Sequence, residues 1–193
     1  MYDYITGRIV EKTPTYLIIE AGNIGYFIHI SLNTYSGLAE TESCKLFIHQ
    51  IIREDAHLLF GFIDQREREI FRQLISVSGV GANTARMILS SMMPDDVVRS
   101  INEGDVFALK SVKGIGAKSA QRIIVDLKDK VTKVGQLEEI FESKSNTIQE
   151  ESLSALVNLG FSKPMVEKVI RQIHNEKNDL SVEEMIKEAL KRL

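Results

Sequence analysis

The chain has 193 residues, 44% of them hydrophobic and 26% charged, with a formal net charge of −3. That balance suits folded globular units and excludes disordered, collagen-like or Pro-rich character. One cysteine, Cys44, excludes an internal disulfide framework and points to a thiol-tolerant cytosolic compartment.

The start, Met1-Tyr2-Asp3-Tyr4, lacks the basic segment and apolar core of a secretion signal. No apolar run approaches the ~18 residues of a membrane span, so no membrane association is expected. The charge is unevenly spread. Residues 1–63 carry 4 Lys/Arg against 7 Asp/Glu, residues 64–134 carry 12 against 9, and residues 135–193 carry 8 against 11. Three units are expected, of which only the middle one favours a polyanion.

Residues 1–63 read as strands. β-Branched and aromatic runs at 4–10, 16–21, 25–31, 45–53 and 56–62 are separated by turn signals such as Thr13-Pro14-Thr15 and Asn23-Ile24-Gly25. Tyr26, Ile28 and Ile30 alternate, as do Leu58, Phe60 and Phe62, as half-buried strands require. Five short strands in such a length predict a closed barrel of the oligonucleotide/oligosaccharide-binding (OB) type, because closure removes exposed edges. Glu54 and Asp55 lie between the last two runs and so form the tip of a hairpin. A solvated turn accounts for such a pair on its own.

At Asp64 the period changes. Asp64 and Glu67 make a capping-box-like pair, and Ile70, Phe71, Leu74 and Ile75 follow at helical spacing. Helices are expected from here to the end, in an α+β multidomain chain. Within the helical middle, residues 77–89 (Val-Ser-Gly-Val-Gly-Ala-Asn-Thr-Ala-Arg-Met-Ile-Leu) align with residues 112–124 at an offset of 35, with six of thirteen positions identical.

Each copy joins two helices through Gly-hydrophobic-Gly: Gly79-Val80-Gly81 and Gly114-Ile115-Gly116. Glycines let the backbone turn sharply and approach another surface. The residue between them anchors the turn, and the N–H groups that open the next helix can hold a phosphate oxygen. One Gly-x-Gly is equally well a plain helix connection. Two in phase, beside Lys118, Arg122, Lys128 and Lys130, predict a tandem helix-hairpin-helix that grips a nucleic-acid backbone without reading bases. Gly116-Ala117-Lys118-Ser119 resembles the end of a Walker A loop, but Ala precedes the lysine and helical sequence precedes the loop, so no ATP site is expected.

Residues 134–149 are polar and read as a flexible linker. Residues 150–193 read as three short amphipathic helices, a minimal bundle. Thr147/Glu150 and Ser181/Glu184 form their capping boxes, Gly160 stops the first helix and Ser162 starts the second. Bundles of this size commonly serve to bind a partner. His29, His49 and His57 show no metal spacing with Cys44, and no Ser-His-Asp or Cys-His arrangement stands out. No cofactor, metal site or catalytic residue is expected.

The order of barrel (1–63), paired hairpins (64–133), linker (134–149) and small helical domain (150–193) closely resembles the RuvA family of bacterial Holliday-junction proteins. The most specific stretches are the two glycine turns, the run from Arg122 to Lys128, and Arg53-Glu54-Asp55-Ala56 leading into Leu59-Phe60-Gly61-Phe62. The resemblance implies a non-catalytic homotetramer, sometimes stacked as an octamer, that holds a four-way DNA junction open for recombination and repair. It implies recruitment of the hexameric ATPase RuvB through a UBA-like C-terminal domain, and the resolvase RuvC as a further partner.

Under that resemblance Gly79, Val80, Gly81, Asn83, Gly114, Ile115, Gly116, Lys118 and Arg122 contact DNA. Glu54 and Asp55 become an acidic pin at the crossover, and Leu156, Leu159, Phe161 and Leu190 meet the motor, with Phe161 the most exposed. The chain departs from the family at Asn83 and Ala117, where lysines are common; there the grip would rest more on backbone N–H groups. Two other readings lead elsewhere: a helix-hairpin-helix repair enzyme, which needs a catalytic pocket, and a single-strand adaptor, which needs exposed aromatics such as Tyr26, Phe47 or Phe60 on the barrel.

Overall fold

The structure, a computed structural model, describes residues 1–38, 41–141, 147–176 and 180–193. The chain divides into two compact units, Met1–Val134 and Gly135–Leu193.

The first unit opens with five strands: β1 (Tyr4–Lys12), β2 (Tyr16–Ala21), β3 (Ile24–Ile30), β4 (Ser43–Ile52) and β5 (His57–Phe62). They close a barrel in the order β1-β2-β3-β5-β4, antiparallel except between β3 and β5. Leu17, Ile19, Ile28, Ile30, Leu46 and Ile48 fill the inside at alternate positions, as the two-residue strand period dictates. A Cβ on Gly61 would lie 2.6 Å from Ile28 Cγ2 and 2.8 Å from Leu46 Cδ1, so no larger residue fits there.

One short helix, α1 (Leu32–Gly37), interrupts the strands. Its six residues are too few to show a helical period in sequence. Ser31 caps it by accepting from Thr34 N–H.

Phe60 and Phe62 on β5 do alternate, but they face away from the barrel interior. Both are buried against Phe71, at ring-centroid distances of 5.1 Å and 4.9 Å, within the core of the helices that follow. The change of period near residue 63 is therefore a change of secondary structure within one packed unit.

Helices α2 (Gln65–Ile75), α3 (Ala82–Ser91), α4 (Pro94–Glu103), α5 (Val106–Lys110) and the start of α6 (Ala117–Phe141) surround that core. Phe71, Leu74, Ile88, Leu89, Val97, Ile101, Leu109, Ile123 and Leu127 are fully buried in it. Asp64 caps α2, accepting from Glu67 N–H at 2.7 Å. The Glu67 carboxylate does not return to complete a capping box; it turns to the barrel.

Helix α6 continues to Phe141, through the first half of the stretch read as a linker. The rest of that stretch up to residue 146 lies outside the described residues. The second unit holds α7 (Thr147–Asn158), α8 (Lys163–Glu176) and α9 (Val182–Leu190), packed around Leu156, Val166, Ile170, Ile173, Met185 and Ala189. The Ser181/Glu184 capping box is present as read. Among the described residues no helix is long and apolar enough to cross a membrane.

Candidate nucleic-acid interface

The two glycine turns adopt one geometry twice. After α2, Val77 N–H donates to Leu74 O at 3.1 Å and Val80 N–H to Val77 O at 3.0 Å. After α5, Val112 N–H donates to Leu109 O at 3.3 Å and Ile115 N–H to Val112 O at 3.1 Å. Gly79 has φ 89° and Gly114 φ 91°, a left-handed conformation that costs other residues about 1–2 kcal/mol. Val77, Val80, Val112 and Ile115 are all buried in the shared core, so both turns are anchored from beneath.

Val80 and Ile115 therefore act as the anchors that their place between the glycines predicts, a narrower role than the DNA contact that the resemblance implies. Their side chains are buried and their N–H groups are already donated. They hold the elbow up; their own side chains do not reach a ligand.

What faces outward is backbone. Gly79, Gly81, Gly114 and Gly116 are exposed, and nothing lies within 4 Å of a Cβ built on any of them. Gly81 stands at the N-cap of α3 without a capping side chain. The N–H groups of the first turn thus lack an intrahelical acceptor. Neither α3 nor α6 carries an acidic residue in its first turn, so the positive end of each helix dipole is uncompensated and favours an anion. Asn83 and Lys118 sit exposed in these first turns, and Arg122 is exposed one turn on, 3.8 Å from Asp126.

Glu54 and Asp55 are exposed in the tight turn between β4 and β5, closed by Arg53 N–H donating to Ala56 O at 2.8 Å. The aromatic face needed for single-strand stacking is not supplied by the expected residues: Phe60 is buried, and Tyr26 and Phe47 are half-buried. An outward pair does exist, Tyr16 stacked on Phe27 at 4.6 Å. The Tyr16 hydroxyl donates to the Glu11 carboxylate at 2.6 Å, which places a negative charge beside the pair.

Sequence reasoning missed the residues that join the barrel to the hairpins. Glu67 is buried between Ser31 and Thr34, accepting from both hydroxyls, with Thr34 at 2.6 Å. Burial holds its carboxyl above the ordinary glutamate value, although the two hydroxyls pull the other way. Arg68 is buried and donates to Asp3 Oδ1 at 2.6 Å and Asp3 O at 2.8 Å. Arg86 on α3 donates to Thr15 O at 2.8 Å, and Asn33 to Met92 O at 2.8 Å. His29 and His49 are pushed below the ordinary histidine value, chiefly by burial and then by neighbouring arginines. The signal in sequence was a charged pair, Glu67-Arg68, inside an otherwise apolar helical face.

In the C-terminal unit the four expected partner residues separate. Leu156 is fully buried at 0% exposure and belongs to the core, the place that leucine at helical spacing usually takes. Phe161 is half-buried against that core, whereas Leu159 is 62% and Leu190 45% exposed. The exposed position is thus Leu159, before Gly160, and not Phe161 after it.

Three family descriptions match the chain: "RuvA N terminal domain" over residues 1–61, "SAM-like Helix-hairpin-helix tandem" over 71–129, and "RuvA, C-terminal domain" over 147–193. Among curated relatives, a protein of Christiangramia forsetii is 51% identical over 193 residues, covering all of both chains. One of Flavobacterium psychrophilum is 49% identical over the same span, and one of Parabacteroides distasonis 51% over 197 residues, again covering both chains fully. All three are described as "Holliday junction branch migration complex subunit RuvA".

Proposed function

Since the chain belongs to the RuvA family, we propose that it holds a four-way DNA junction open by its paired glycine elbows while its acidic tips guard the crossover. Family membership makes it the non-catalytic, junction-binding subunit of a branch migration complex. The observation that carries the finer reading is the repeated elbow, the same backbone path at Gly79 and Gly114 with the outer glycines bare. Such elbows offer N–H groups and a positive helix end to a sugar–phosphate backbone and carry no base-reading group.

One chain grips one arm, so the reading calls for four protomers around a common axis, with face-to-face octamers as a further state. Gly79, Gly81, Asn83, Gly114, Gly116, Lys118 and Arg122 then meet phosphate, with Val80 and Ile115 as their buried anchors. Eight carboxylates, Glu54 and Asp55 of each protomer, would crowd the centre and repel a duplex laid straight across it. Leu159 and Leu190 would meet the hexameric ATPase RuvB, which supplies the motion, and RuvC would cut the junction. The setting is the bacterial cytoplasm, where recombination and repair take place.

The test is competition between a synthetic four-way junction and a linear duplex of the same sequence at matched salt, since phosphate binding varies steeply with salt. The junction should bind at least tenfold more tightly (~1.4 kcal/mol), and light scattering should give a mass of four or eight chains on it. Equal affinity for both DNAs refutes the reading.

A further inference from the structure

The elbows can grip any duplex and the acidic tips can repel any duplex. Selectivity for a junction needs the two devices held at a fixed separation, since each acts on a different part of one DNA molecule. The elbow at Gly79 grows from the end of α2, and the tip grows from β4 and β5. What sets α2 against the barrel therefore sets the elbow against the tip.

Phe71 of α2 packs on Phe60 and Phe62 of β5, and two adjacent polar residues of α2 add directional bonds to that apolar contact, on opposite sides. Arg68 reaches Asp3 ahead of β1, and lies 3.4 Å from Ile48 O on β4, the strand that runs on to the tip. Glu67 reaches the start of α1. There the Ser31 and Thr34 hydroxyls and the Ile63 N–H converge on its carboxylate. Ser31 Oγ accepts from Thr34 N–H at 3.0 Å, and Thr34 Oγ1 accepts from Ile63 N–H at 3.3 Å. Each hydroxyl has one proton to give, and both are given to Glu67, one to each carboxylate oxygen. Glutamine accepts at one position only; at the other its N–H₂ would have to donate to a hydroxyl that then turns its proton away.

We propose that Glu67 is a positioning residue for junction selectivity, fixing the first glycine elbow relative to the acidic tip through Ser31 and Thr34. It touches no DNA, and it rests on the function proposed above.

The experiment compares wild-type chain with Glu67→Gln, measuring Kd for a four-way junction and for a linear duplex at one salt concentration, with thermal unfolding of each protein recorded alongside. The expected result is an unchanged duplex Kd and a junction-to-duplex preference reduced about tenfold, the order of effect of losing a charged acceptor in a buried site. A merely structural role would weaken both affinities by the same factor, and that outcome, like an unchanged preference, overturns the proposal. If Glu67→Gln does not fold, Ser31→Ala removes one donor only and is judged by the same ratio. A wild-type chain without junction preference sinks the function itself. A selective wild type with equally selective variants sinks only the role of Glu67.

Discussion

Gly79 and Gly81 are two residues apart and do different things. Gly79 is needed for its positive φ, since nothing crowds its missing side chain. Gly81 has φ −83°, which any residue adopts, and its bareness leaves the α3 N–H groups uncapped. Gly79→Ala should therefore lower unfolding stability by about 1–2 kcal/mol. Gly81→Ser should leave stability equal or a few tenths of a kcal/mol higher, because serine caps a helix at least as well as glycine. Yet its hydroxyl would take the N–H groups meant for phosphate, so DNA affinity should fall for junction and duplex alike. Denaturant unfolding and binding titrations on both variants check the split; equal loss of stability in the two would refute it. The sequence made both glycines legible as a pair, because spacing shows in one dimension. It could not separate their roles, which depend on φ and on which N–H groups are already donated, as at Val80. Glu67 was misread for the same reason: three-residue spacing from Asp64 imitates a capping box, and only the fold brings Ser31 within its reach.

Among the elements, those with a full hydrophobic period were readable and those without one were not. The five strands and the amphipathic face of α2 follow from where Ile, Leu and Phe fall. Helix α1 has too few residues to declare itself, and α6 runs into the polar stretch 134–141, where composition argued for a linker. The end of α7 shows why burial cannot be read from leucine spacing alone, since Leu156 lies within the helix and is buried, while Leu159, three residues on and just past its last residue, is exposed. Leu156→Ala should destabilise the C-terminal bundle by about 2–5 kcal/mol, the cost of a core cavity. Leu159→Ala should leave its melting within about 0.5 kcal/mol while weakening stimulation of the partner ATPase. Melting curves with an ATPase assay decide the matter; a Leu159→Ala bundle that melts early would place that residue in the core after all.

At the scale of the molecule, the basic middle holds the two exposed glycine turns, and an acidic end holds the exposed Glu54 and Asp55. Under the function proposed, the acidic pair is the part of this arrangement that opposes binding. Glu54→Gln with Asp55→Asn should leave junction affinity intact or higher and tighten plain duplex binding about tenfold or more, the scale of relieved like-charge contact. Filter binding on linear DNA would show it, and unchanged duplex affinity would remove the pin from the account.

The two copies of the repeat are alike at their elbows and unlike along the helices that follow. On α3, Arg86 donates to Thr15 O and, one residue past the first copy, Ser90 accepts from Leu32 N–H at the start of α1; the residues 35 positions on are Gln121 and Val125, and Val125 is 77% exposed. The elbows are interchangeable while their flanks are not. Exchanging the two segments would conserve every glycine and still cost the barrel its Arg86 bond to Thr15 O, so the pair has a front and a back.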